Sequence, residues 1–277
     1  MASSPPEPLV RRARRATRRP PWPILVLAAL GALLFALPLA GLLARAGWSR
    51  LGHDLTSPEA RDALWLSIRC SLAATALSVV LGVPLAWVLA RSDLPGRAVL
   101  RALVLLPMVL PPVVGGVALL FAFGRSNGLV GPWLYDTFGL QLTFGPGGVI
   151  LAETFVAMPF LVLTVEGGLR GIDPRYEEAA AVAGAGRFTT FWRVTLRLLA
   201  PSLAAGAALA WARALGEFGA TITFAGNILG RTRTAPLAVY LLLESDPTAA
   251  IALSLVMLAV AAVVLVALRD RWFGVQR

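Results

Sequence analysis

Hydrophobic and polar positions along this chain fall in blocks. Six apolar blocks run roughly over residues 22–44, 63–90, 100–123, 148–169, 202–226 and 247–268. A helix needs about 20 apolar residues to cross a bilayer, and each block reaches that length. Hydrocarbon offers the backbone no hydrogen-bond partners, and a helix satisfies its own. The pattern predicts an all-α polytopic membrane protein with about six transmembrane helices over residues 22–277.

Two blocks carry irregularities. The third contains "LPMVLPPVVGG", with Pro107, Pro111 and Pro112 inside a span. Proline removes a backbone donor and kinks a helix, so this is either a packing kink or a flexible, pathway-lining element. The first block is preceded by "MASSPPEPLVRRARRATRRPP", residues 1–21, with six arginines between 11 and 19. This reads as a disordered basic cytoplasmic tail that meets anionic headgroups rather than nucleic acid. The apolar run behind it exceeds the about 7–15 residues of a signal-peptide core, so the block is expected to stay as a span.

Arginines set the orientation, because basic residues collect in cytoplasmic loops. With the N-terminus inside, 17 of the 25 arginines fall on the inner side. Both termini and the segment 170–201 are therefore expected in the cytoplasm.

Composition narrows the function. The chain is 57% hydrophobic and 14% charged, with a mean hydropathy of +0.75; soluble domains carry about 25% charged residues. Every basic residue is arginine. A phosphate-binding P-loop needs a lysine, so the chain holds no such ATPase site. Cys70 is a lone cysteine in an apolar block, and His53 a lone histidine in a short polar loop. Metal sites need several ligands, so no metal or other cofactor is expected. Nor is there a catalytic constellation.

One stretch breaks the apolar pattern: "RYEEAAAVAGAGRFTTFWRVTLRLLAP", residues 175–201. Asp173 and Pro174 suit a helix start. Glu177 and Glu178 then fall in the first turns, where the helix dipole favours negative charge. Ala179, Ala180 and Ala181 propagate the helix; Gly184 and Gly186 end it; "RFTTFWRVTLRLL" starts another. The product is a helix–turn–helix. Phe188, Phe191 and Trp192 give it an apolar face, fit for lipid headgroups or for a groove on another protein.

"EEAAAVAGAGRFTTFWRVTL" resembles the cytoplasmic EAA loop of ABC importer permeases, with Glu178, Ala179, Ala180 and Gly184 at the matching positions. The resemblance implies that Glu177, Glu178, Ala179, Ala180, Gly184, Gly186 and Phe188 form a coupling loop, which docks into a separate ATP-binding subunit. Arg197 departs from the family, which often has a proline there. "RALGEFGATITFAGNILGRTRTAPLAVYLLLE", residues 213–244, is similar to molybdate permeases of that family. The matches are Ala214 to Thr221, Phe224 to Asn227, Gly230 to Thr232, Thr234, and Pro236 with Leu237. Sulfate permeases share the "ALGEFG" core and diverge after it.

The resemblance implies a homodimeric permease passing molybdate or tungstate across the cell membrane. Its partners would be an ATPase homodimer and a periplasmic or lipid-anchored molybdate-binding protein. Sulfate, or a secondary transporter or scaffold without ATPase, is the alternative. Arg213 and Glu217 lie four apart on one helical face and are expected to pair, either structurally or lining a path. Thr221, Thr223 and Asn227 could offer donors to a tetrahedral dianion. Arg69, Glu153 and Glu166 are expected to snorkel toward span ends.

Overall fold

The computed structural model describes residues 21–273, with side chains described to residue 266. The basic tail expected at the N-terminus lies, except for Pro21, outside the described residues. All regular structure among the described residues is helical. Helix α1 (Trp22–Ala44) belongs to a unit of its own.

The second unit begins at Ala46. In order it contains α2 (Leu51–Thr56), α3 (Pro58–Arg91), α4 (Arg97–Val109), α5 (Pro112–Phe123), α6 (Gly131–Phe138) and α7 (Pro146–Gly171). Then follow α8 (Arg175–Val182), α9 (Arg187–Thr190), a π-helical segment (Phe191–Thr195), α10 (Leu196–Leu215), α11 (Gly219–Phe224), α12 (Ala235–Ser245) and α13 (Pro247–Phe273). His53 lies in α2 rather than in a loop.

Among the described residues, five helical stretches are long and apolar enough to cross a membrane: α1, α3, α7, Arg187–Leu215 and Pro247–Val266. The third apolar block is not one continuous helix but two, α4 and α5. The chain opens at Leu110 and Pro111, whose ψ angles are 136° and 132°. A residue before proline is pushed out of the α region, and here two prolines in succession push two residues.

The fifth block also differs. Its helix starts at Arg187 and runs through α9, the π-segment and α10 to Leu215. Charged residues break an apolar pattern but not a helix, so hydropathy placed that start too late. The helix stops at Gly216, and residues 219–224 form the separate α11.

Helix α7 is the most buried of the candidate spans. It packs along α3 and α10. Ala74, Val83, Ala86 and Leu89 of α3 meet Leu161, Val162, Val165 and Leu169 of α7, and Leu199, Ala210 and Ala214 of α10. Small residues let these helices approach: a Cβ on Gly82 would lie 2.9 Å from Leu161 Cδ2. Hydrogen bonds add to packing where lipid gives no hydrophobic drive. Trp211 Nε1 donates to Ser71 Oγ (3.0 Å), and Ala235 N–H to Ser67 Oγ (2.7 Å). Leu119 of α5, Ala152 and Val156 of α7, and Ala220 and Phe224 of α11 form a second cluster.

Candidate functional site

Two regions concentrate polar groups. The first is the turn between α8 and α9. Asp173 Oδ1 accepts the Arg175 N–H at 3.0 Å, at the start of α8. Eight residues on, the helix ends in a Schellman motif: Gly184 N–H donates to Ala181 O (3.0 Å) and Ala185 N–H to Ala180 O (2.9 Å). This motif requires a left-handed residue after the helix, best met by glycine. Gly184 has φ +84°, with nothing near where a Cβ would stand. Gly186 instead has an extended backbone (φ −68°, ψ 160°) and precedes α9.

The adjacent glutamates of α8 face different ways. Glu178 is exposed and makes no ion pair among the described residues; it shares a face with Val182, four residues on, which is 91% exposed. Phe188 is 77% exposed, its ring 6.0 Å from that of Trp192. Ala179 is exposed and Ala180 half-buried. Glu177 is turned inward: its Oε1 accepts from Thr195 Oγ1 at 2.9 Å and lies 3.9 Å from Arg91 Nη2. Arg91 lies far from Glu177 along the chain and Thr195 lies across the turn from it, so no local spacing signals either contact.

The second region is where two interrupted helices meet. Arg213 Nη2 lies 2.6 Å from Glu217 Oε2, while Glu217 Oε1 accepts the Ala220 N–H at 2.8 Å. Glu217 is 1% exposed. One carboxylate thus ties the end of α10 to the first turn of α11, where free N–H groups favour it. Helix α11 lies close against α5. A Cβ on Gly219 would meet Pro112 Cβ at 2.8 Å, and one on Gly116 would meet Ala220 O at 2.9 Å. The break after Gly216 therefore sits against the break at Pro111–Pro112.

Thr221, Thr223 and Asn227 separate here. Thr221 is fully buried and its Oγ1 has no hydrogen-bond partner. Thr223 donates to Gly219 O at 2.7 Å. Asn227 belongs to the loop beyond α11, where its Oδ1 accepts from Arg233 Nε at 3.0 Å.

Two carboxylates expected to snorkel do not. Glu153 is 1% exposed with Oε2 unpartnered. Glu166 is 3% exposed and pairs with Arg101 of α4 and with Arg170 (2.9 Å) of its own helix. For Glu166, burial among packed helices with two partners replaces the reach to water. Arg69 is exposed and lies over the Trp65 ring at 5.4 Å.

Residues 78–275 match the family model described as binding-protein-dependent transport system inner membrane component. The chain is 49% identical over 257 residues to the molybdenum transport system permease protein ModB of Mycobacterium tuberculosis, covering 92% of this chain and 96% of that one. It is 39% identical over 231 residues to the sulfate transport system permease protein CysT of Escherichia coli, covering 82% and 83%. Among solved structures, a bacterial ABC transporter involved in alginate import has a similar fold, with a TM-score of 0.70 and 19% identity, covering 92% and 96%.

Proposed function

Because this chain belongs to the family of binding-protein-dependent transport system inner membrane components, we propose that it is the permease subunit of an ABC importer for molybdate or tungstate. The observation that carries the substrate reading is 49% identity to a molybdenum permease over nearly the whole of both chains. ATP hydrolysis resides on a separate subunit, because a chain without lysine has no P-loop of its own.

The α8–Gly184–α9 turn is the surface that ATPase subunit grips. Glu178, Val182 and Phe188 stand outward on it, and a short amphipathic element of this kind fits a groove on a partner. The arginine distribution supports a cytoplasmic location for this turn and both termini. Two copies of the chain, an ATPase homodimer and a periplasmic or lipid-anchored binding protein complete the transporter.

The apposed α5 and α11 line the path. Interrupted spans expose backbone polar groups where a substrate can use them. Arg213 and Glu217 hold the interruption open, Thr221 and Thr223 supply hydroxyls beside it, and Asn227 lies beyond.

The test is uptake of labelled molybdate at nanomolar concentration, in cells lacking their own permease and expressing this chain with its ATPase and binding protein. Tungstate should block uptake and sulfate should not. Block by sulfate would move the chain to the sulfate branch, the second reading, which rests on 39% identity to a sulfate permease.

A further inference from the structure

We propose that Glu177 is not a docking residue but the positioning residue that ties the coupling turn to helix α3 through Arg91 and to the π-segment through Thr195. The proposal rests on the reading of this turn as the ATPase contact. Side chains four apart share a helical face. On α8, Glu178 and Val182 form the outward face, while Glu177 and Ala181 line a cavity of about 470 Å³ beneath the turn.

Four elements converge on that side. Arg91 is the last residue of α3; its Nη2 donates to Ile172 O, just after α7, at 3.1 Å and lies 3.9 Å from Glu177 Oε1. The same oxygen accepts from Thr195, the last residue of the π-segment. Thr195 is 1% exposed, and the side chains of Arg91 and Glu177 are 18% and 29% exposed. Water therefore screens these contacts less than it would on an open surface.

The arginine also keeps donor capacity on this side. Arg91 Nε is buried without a partner, although guanidinium and carboxylate groups favour two parallel bonds. The π-segment that carries Thr195 is an interruption of a kind often found at functional sites. A push on Val182 and Phe188 from outside would reach α3, and so the helical core, through Glu177. The adjacent glutamates thus have separate roles. Glu178 meets the partner, and Glu177 transmits.

The test uses the complete transporter of permease, ATPase and binding protein. Spin labels go at Asp93 and Ala183, both exposed, in a Cys70→Ala background. In the otherwise unchanged protein, trapping ATP should leave this distance constant, because turn and α3 move together. In Glu177→Ala and Arg91→Ala the distance should shift or broaden on trapping. Both variants should still co-purify with the ATPase, and uptake per ATP should fall at least about fivefold, the low end of typical coupling energies. The exchange Arg91→Glu with Glu177→Arg should recover part of the loss. Glu177→Gln and Thr195→Val give the same readout with less disturbance, should the alanine variants fail to assemble.

Loss of the ATPase in Glu177→Gln would make Glu177 a docking residue and overturn the proposal. An unchanged distance in all four single variants would overturn it too. The distance does not depend on the ion carried. Failure of the unchanged transporter to take up molybdate would thus sink the substrate reading alone.

Discussion

Glu217 sits four residues after Arg213 and closes on it at 2.6 Å, at the point where α10 stops. Its other oxygen caps the next helix at Ala220. A lone charge mid-membrane costs about 2.5–3.5 kcal/mol on insertion scales; here the charge is paired and both carboxylate oxygens are engaged. Arg213→Ala should therefore destabilise the permease by roughly 3 kcal/mol or more, since it strands a buried carboxylate. Glu217→Gln keeps an acceptor for Ala220 and should cost less than Glu217→Ala. Thermal unfolding in detergent ranks the three; equal melting points for Glu217→Gln and Glu217→Ala would remove the capping role.

Gly116 lets α5 lie against α11. A Cβ there would stand 2.9 Å from the Ala220 carbonyl and 3.0 Å from its Cα, both backbone atoms that have little freedom to yield. Gly116→Val should cost about 1–3 kcal/mol by overpacking and abolish uptake while the chain still inserts. Uptake at the normal rate would show that the two interrupted helices need not touch.

Thr221 carries a buried hydroxyl that no protein group satisfies. Thr221→Val keeps the shape and removes that hydroxyl, so stability should hold or rise. If the hydroxyl serves the oxyanion path, uptake should nevertheless fall. Unchanged uptake with unchanged stability would take Thr221 off the path.

Gly184 adopts φ +84° at the Schellman turn. Gly184→Val should strain the turn by about 1–2 kcal/mol, the usual left-handed penalty for a side chain, while Gly184→Asn should be milder. ATPase co-purification should fall more for the valine than for the asparagine, with membrane insertion intact. Full co-purification of Gly184→Val would dismiss the turn as the docking element.

Phe188 and Val182 project outward from that turn. Phe188→Ala should leave the melting point of the isolated permease unchanged and weaken ATPase binding by about 2 kcal/mol, as a buried interface anchor does. A binding titration that finds no change would place the anchor elsewhere.

Local relationships were legible in the chain. The Arg213–Glu217 pair follows from a spacing of four on one helix. The α8 start at Asp173 and the Gly184 stop follow from capping chemistry. Spans α3, α7 and α13 follow from apolar runs. The third block showed its two adjacent prolines, but whether they bend a helix or divide it depends on what packs beside them. Here Gly219 of α11 takes the space next to Pro112.

By itself the sequence determined which segments are apolar enough to leave water, where α8 starts and stops, and that this chain has no P-loop of its own. Those properties depend on neighbours within a turn or two, or on composition. Tertiary structure alone decided that Glu177 turns toward Arg91 while Glu178 does not, that Glu166 pairs with Arg101, and that the two helix interruptions meet. Such pairings join residues many positions apart. They are set by which faces of α3, α7 and α10 pack together, and no short window of sequence contains that geometry.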